Sequence, residues 1–363
     1  MTHKTRIASE HAGGPADSAR PPRSAPAPSS SPSSAARRRS HRRAWLVLAG
    51  LVLAALAAFV WSLSAGALPV SATDLFNAFS GGAGGMESDI VRTLRLPRAT
   101  AAFACGGLLA LAGALMQVLL RNPLADPYVL GISGGAGVGA MFAMLLGLPV
   151  IGIDGLAFVG AFAAMLLVFG LAHGDGSWTQ TRLLLTGVIV AAGCGALVAL
   201  MLSIADEHKL RGMLFWLMGD LGQSAQWWPA FVALAVSLLL TMPFARELNL
   251  LSRGLMQAQA LGVAVGRLRY AIYLLASVAT AASVTTAGSI GFVGLVVPHL
   301  VRLATGNDQR LLLPASVLAG GSLLVLADTL ARTLIAPQQL PVGVLTALIG
   351  VPVFLFLLSR QPK

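Results

Sequence analysis

Charge is what this 363-residue chain has least of: only 11% of its residues are Asp, Glu, Lys or Arg, against about a quarter in soluble domains. A chain so poor in charge cannot clothe a water-facing surface, so lipid must be its main solvent. No G-x-x-x-x-G-K-[ST] phosphate cradle occurs and no H-E-x-x-H pair, which leaves ATP hydrolysis and zinc chemistry without the residues they need. The two cysteines, Cys105 and Cys194, lie inside apolar runs and outside any metal-ligand spacing, and read as small packing residues. The six histidines are scattered. With no catalytic residue and no metal site to name, the chain reads as a non-enzyme that binds no cofactor of its own; passage of a solute remains.

What is there is apolar and small. Hydrophobic residues make up 56% of the chain, with 40 Gly and 19 Pro, and the mean hydropathy is +0.78. So many glycines and prolines suit membrane helices, where small residues allow close contact and neighbours re-satisfy freed backbone groups. The net charge of +11 would suggest nucleic acid in a soluble protein; here it reads as topology signal beside membrane spans. Residues 1–43 form a basic tail. Its first 36 residues, rich in Ala, Ser and Pro, lack any apolar period and are expected to be disordered. Arg37, Arg38, Arg39, Arg42 and Arg43 then precede an apolar stretch from Ala44 to Ser64. A signal peptide has the same order, with Ala65-Gly66-Ala67 as a cleavage site, but its apolar core is about 7–15 residues and this run spans a bilayer. The expectation is a retained first helix with the N-terminus in the cytoplasm.

At about 20 apolar residues per span, the sequence predicts an all-α polytopic protein with spans near 44–64, 95–120, 127–146, 150–172, 179–204, 226–245, 267–288, 290–303, 311–335 and 340–359. The eighth is short and is expected to share a broken path with the seventh. A mixed segment near 205–225, carrying Phe215 and Trp216, reads as a short interfacial helix. Ten spans put both termini in the cytoplasm, and that orientation places 19 of the 25 Lys and Arg residues inside, as the positive-inside rule requires. Ala112-Gly113 precedes Pro123 by the spacing at which Ala287-Gly288 precedes Pro298. The two markers lie on helices of opposite direction, as in an inverted repeat.

Few polar groups interrupt the spans. Arg95 and Arg98 share one helix face at the outer start of the second span. Asp328 and Arg332 are four apart near the outer end of the ninth. Two readings stand: an intramembrane ion pair that neutralises a costly acid, or an outer basic collar that docks an acidic partner. Asp328 would also be the coupling acid of a secondary transporter driven by an ion gradient. On the cytoplasmic side Asn122-Pro123-Leu124-Ala125-Asp126-Pro127 stops two helices in a tight turn. Gly131, Gly135 and Gly139 follow as a stripe suited to helix packing. The cytoplasmic loop 246–269, apolar among Arg and Gln, is longer than a plain connection and suggests a docked helical element.

These segments, with Leu130-Gly131-Ile132-Ser133-Gly134-Gly135-Ala136, Phe215-Trp216-Leu217-Met218-Gly219, Ala258-Gln259-Ala260-Leu261-Gly262-Val263, the run Gly288 to Arg302 and Leu340-Pro341-Val342-Gly343, resemble the permease subunits of bacterial ABC importers for iron siderophores, haem and vitamin B12. The match runs in order over about 44–360. The resemblance implies a homodimer of ten-helix subunits in the inner membrane, two cytoplasmic ATP-binding subunits that consume the ATP, and a periplasmic substrate-binding protein. It implies that Arg95, Arg98 and Arg332 receive that binding protein, that Asn122, Leu124, Gln180 and Thr181 form the cytoplasmic gate, and that Gly254, Ala258, Leu261 and Gly262 couple to the ATPase. Gln180 stands where the B12 importer has a small hydroxyl residue. Leu255 and Met256 stand where family members commonly carry acidic residues, which implies a more apolar contact.

Overall fold

Long apolar runs punctuated by Gly and Pro have one stable form in lipid: helices that satisfy their own backbone. The computed structural model describes residues 34–66, 68, 70–80, 85–172, 180–222 and 227–359, and it contains fifteen α-helices among them. In chain order these are α1 (Ser34–Ser64), α2 (Ala72–Ser80), α3 (Met86–Ile90), α4 (Leu96–Leu119), α5 (Ile132–Leu145), α6 (Val150–Ala172), α7 (Gln180–Ile204), α8 (Glu207–Met218), α9 (Trp228–Thr241), α10 (Ala245–Arg253), α11 (Leu255–Ala260), α12 (Val265–Ala287), α13 (Val293–Thr305), α14 (Gln309–Thr333) and α15 (Val342–Ser359). Residues 41–363 form one compact unit. The tail expected to be disordered lies outside the described residues as far as residue 33, and its residues 34–43 form the start of α1.

Among the described residues eight helical segments are long and apolar enough to cross a bilayer, and α5 and α13 are shorter apolar helices. Together they make the ten expected spans. Helix α8 is the separate short helix foreseen near 205–225, and α10 and α11 fold the 246–269 loop. The order long, long, short, long, long recurs in each half, with α5 and α13 as the third spans. Five spans per half make the halves run in opposite senses, the arrangement of an inverted repeat.

The second span differs from its expected start. It begins at Met86, because α3 runs into α4 through a π turn, Val91–Arg95, in which Leu96 N–H donates to Val91 O. Pro97, in the first turn of α4, has no N–H and would crowd the carbonyl four residues back; the wider turn ahead of it absorbs that conflict. The seventh and eighth spans are two helices joined by an irregular turn. Gly288 (φ 69°) ends α12 and Phe292 (φ 69°) opens α13. Such a turn inside a bundle needs protein partners for its polar groups, and it has them: Ile290 N–H donates to Tyr128 Oη at 3.0 Å, and the Ser133 and Ser289 hydroxyls are 2.9 Å apart.

Helix α4 is the hub, with 19 of its 24 residues buried. It touches its neighbours backbone to backbone: a Cβ on Gly106 would overlap Gly320 O of α14, and one on Gly113 would overlap Gly294 O of α13. The glycine stripe after the turn is packing of the same kind. Gly135 and Gly139 abut Gly160 O and Leu156 O of α6, while Gly131 (φ +73°) opens α5.

Candidate functional site

Helices α4 and α14 are antiparallel, so the start of one and the end of the other share one membrane end. There Arg98, on the first turn of α4, reaches Asp328 on α14. Its Nη2 is 2.8 Å and its Nε 3.0 Å from Asp328 Oδ1, and Nη1 donates to Gln339 Oε1 at 3.0 Å. Arg332, one turn beyond Asp328, donates from Nε to Oδ2 at 3.2 Å and from Nη2 to Ser62 Oγ at 3.0 Å. The Asp328 side chain is 1% exposed, the two arginines 14% and 11%. Arg95 belongs to the same end with a different job. Its guanidinium donates to the carbonyls of Leu63 (2.8 Å), Ser64 (3.0 Å) and Leu68 (2.6 Å). The last carbonyls of α1 have no partner within their helix, and a cation at that pole is favourable; Arg95 supplies both needs and fastens the first span to the second.

Two arginines thus converge on one carboxylate, and with Arg95, Thr93, Gly222 and Gln339 they line an outer basin of about 590 Å³. Of the two readings open at the level of sequence, the ion pair is present and is larger than its local form. The coupling-acid alternative loses its basis, because both oxygens of the Asp328 carboxylate are already engaged by guanidiniums. Sequence spacing exposed Arg332, four residues away, and had no signal for Arg98, 230 residues away, or for Ser62 and Gln339.

The opposite end collects the gate candidates. Asn122 Oδ1 accepts from Leu124 N–H at 2.9 Å, shaping the turn after α4. Gln180 Nε2, at the start of α7, donates to Leu119 O at 3.1 Å and so meets the last turn of α4. Thr181 is exposed and Leu124 half-buried. Asp126 accepts from Tyr128 N–H through Oδ1 at 2.7 Å and opens the short 3-10 turn before α5; desolvation pushes its carboxyl up to about 6. Deeper, Gln117, unassigned by sequence reasoning, bridges α4 to α13: Nε2 donates to Leu295 O at 3.1 Å, and Oε1 accepts from Arg302 Nη2 at 2.9 Å.

Beside this end, α10 and α11 meet at Gly254, whose φ of 139° and ψ of 150° only glycine adopts without strain. Met256 is 80% and Leu261 66% exposed, large apolar residues on an elbow with no chemistry of its own. Ala258, expected among the coupling residues, is fully buried and packs the elbow against the bundle. Gly262 (φ +82°) turns the chain towards α12.

Ten membrane helices around a glycine-notched hub, basic basins at both ends and an apolar elbow fit a transport permease. Residues 51–360 match the model of the FecCD transport family, and the chain belongs to that family. It is 42% identical to the hemin transport system permease protein HmuU of Yersinia pestis, over 87% of this chain and 96% of that one. It is 37% identical to the Fe(3+) dicitrate transport system permease protein FecC of Escherichia coli, over 87% and 98%. Among solved structures it is similar to a chain of an inward-facing ABC transporter described as of metal-chelate type, with TM-score 0.77, 32% identity, and coverage of 88% and 100%.

Proposed function

We propose that the chain is the membrane-spanning subunit of an inner-membrane ABC importer, works as a homodimer, and carries an iron chelate, haem or cobalamin inward. The observation that carries this is the elbow: a lever with exposed Met256 and Leu261, in a chain that has no nucleotide site to move it. Two ATP-binding subunits engage the lever on the cytoplasmic face through Gly254, Leu261 and Gly262. Their closure on ATP biases the permease between two arrangements, which differ at the Asn122, Leu124, Gln180 and Thr181 turn.

At the outer end a periplasmic binding protein docks. The basin carries three positive charges against one negative, and a homodimer doubles that excess around its axis. Acidic side chains on the binding protein are steered by such a field, more strongly at low salt. Arg98 and Arg332 offer the recognition surface; Arg95, its donors committed to α1, adds charge. The substrate class rests on likeness to permeases named for haem, cobalamin and ferric dicitrate.

Reconstitution tests it. In proteoliposomes holding ATPase subunits and binding protein, uptake of labelled haem, cobalamin or a ferric chelate requires internal or external ATP on the ATPase side and stops with vanadate. Accumulation by the permease alone under a proton or sodium gradient would overturn the proposal.

A further inference from the structure

The cytoplasmic end holds a second basin, of about 610 Å³, for which transport has no evident use. Its walls come from four elements: Gln117, Val118 and Arg121 of the α4 end, Asn249, Ser252 and Arg253 of α10, Arg302 of α13, and Asn307, Asp308 and Gln309 at the start of α14. Three guanidinium groups therefore face one cavity. Among the described residues the ion pairs are those of Asp328, at the other membrane end, so none of these three arginines has a carboxylate. The one acid in the wall, Asp308, is already engaged: Oδ1 accepts from Asn249 Nδ2 at 2.9 Å and from Arg310 N–H at 3.1 Å, capping α14.

Arg121 is present against local preference. Helix α4 closes with Arg121 N–H on Val118 O and Asn122 N–H on Gln117 O, at 3.2 and 3.1 Å. That is the closure whose pivotal position favours glycine, and Arg121 holds it at φ 46°. A long cationic side chain kept in a left-handed conformation, on the rim of a cavity it makes more positive, points to a ligand and not to packing. Depth favours a small anion over a protein surface: Arg302 is only half-exposed, and its fork is set by Gln117, which is 3% exposed.

We infer that this basin is a binding site for a phosphate-bearing anion, held by Arg121, Arg253 and Arg302, with Asn307 as a neutral donor. Guanidinium forks match phosphate oxygens, and basic pockets between helix ends on the cytoplasmic side suit anionic lipid headgroups. An occupied site would tie α10, the first arm of the elbow, to α4 and α14 by charge and not by direct contact alone.

The test uses the purified full-length permease, stripped of lipid in neutral detergent. Phosphatidylglycerol, phosphatidylcholine and inorganic phosphate are added in separate arms, with the thermal midpoint and lipid adducts in native mass spectra as readouts. Arg121→Gly suits the purpose because glycine relieves the backbone at that position, so the variant folds; Arg253→Gln is the second. If the headgroup is the source, phosphatidylglycerol raises the midpoint by about 3 °C or more over phosphatidylcholine, and each variant weakens its binding about tenfold. A comparable rise with millimolar phosphate, lost in the variants, supports the same site with a soluble source. The inference is overturned if neither anion outperforms phosphatidylcholine, or if the variants keep the full effect. It is equally overturned if the variants abolish ATPase-subunit binding while anion binding stays intact, since the arginines then serve a protein contact.

Discussion

Replacing Asp328 by Ala is the sharpest perturbation the outer cluster allows. The carboxylate is 1% exposed and accepts from two guanidiniums at 2.8 and 3.2 Å. Each pair, taken at a charge separation near 4 Å and an effective dielectric of about 20, is worth about 4 kcal/mol of Coulomb attraction. Desolvation and the mutual repulsion of the arginines offset much of the sum, and breaking a buried pair from one side costs about 3–5 kcal/mol. Removing Asp328 leaves Arg98 and Arg332 facing each other with no counter-charge and Arg95 nearby. A loss of about 3 kcal/mol is expected, read as a fall of about 5 °C or more in the unfolding midpoint of the purified protein. A double-mutant cycle of Asp328→Asn with Arg98→Gln isolates the longer-range pair, with an expected coupling of at least about 1 kcal/mol. A midpoint within 1 °C of wild type, or additivity within about 0.5 kcal/mol, refutes the claim that this carboxylate organises the outer end.

Three further outcomes follow from the geometry. Gly113→Ala forces a methyl group onto Gly294 O, a backbone atom that cannot step aside; a loss of about 2–3 kcal/mol is expected in denaturation of the purified protein, whereas Gly155→Ala, with open space around it, stays within about 0.5 kcal/mol or gains through helix propensity. Asp126 titrates near 6 because burial penalises its charged form, so the stability carried by its neutral form is complete below about pH 4 and lost as pH rises through 6. Asp126→Asn keeps the cap on Tyr128 without the charge, and pH-dependent unfolding between 4.5 and 7.5 is expected to show it about 1 kcal/mol more stable than wild type at the upper end only, discounted for the partial exposure of the residue. Leu261→Asp, on an exposed position of the elbow, leaves the unfolding midpoint within 1 °C while cutting ATP-driven uptake at least about tenfold.

The spans were legible because a bilayer demands a length of apolar chain and little else: eight of the ten starts lie within about five residues of the expected ones. The exceptions are α1, which begins at Ser34 and not at Ala44, and the second span, where a π turn lets the helix begin at Met86 and not near Arg95. The elbow was visible as an apolar pattern inside a basic loop. Tertiary pairing was not. Arg332 could be matched to Asp328 because helical spacing brings residues four apart together, whereas Arg98 meets Asp328 only once α4 and α14 lie side by side. Arg95 and Arg98 look equivalent as neighbours on one face, yet one binds helix carbonyls and the other a carboxylate. Ala258 shared its motif with exposed residues, and only the packed elbow separates anchor from contact.

The glycine notches along α4 have a mechanical consequence. Where main chain rests on main chain, there is no side-chain layer to shear, and sliding by even one residue would drive a Cβ into a carbonyl. The centre of the subunit must behave as a fixed mast, and the motion that opens one face and shuts the other falls to the loosely held helices around it, α7 above all, in which only Leu183 and Gly187 are buried. Substitutions that stiffen that outer rank would stall transport in a protein whose centre remains as stable as before.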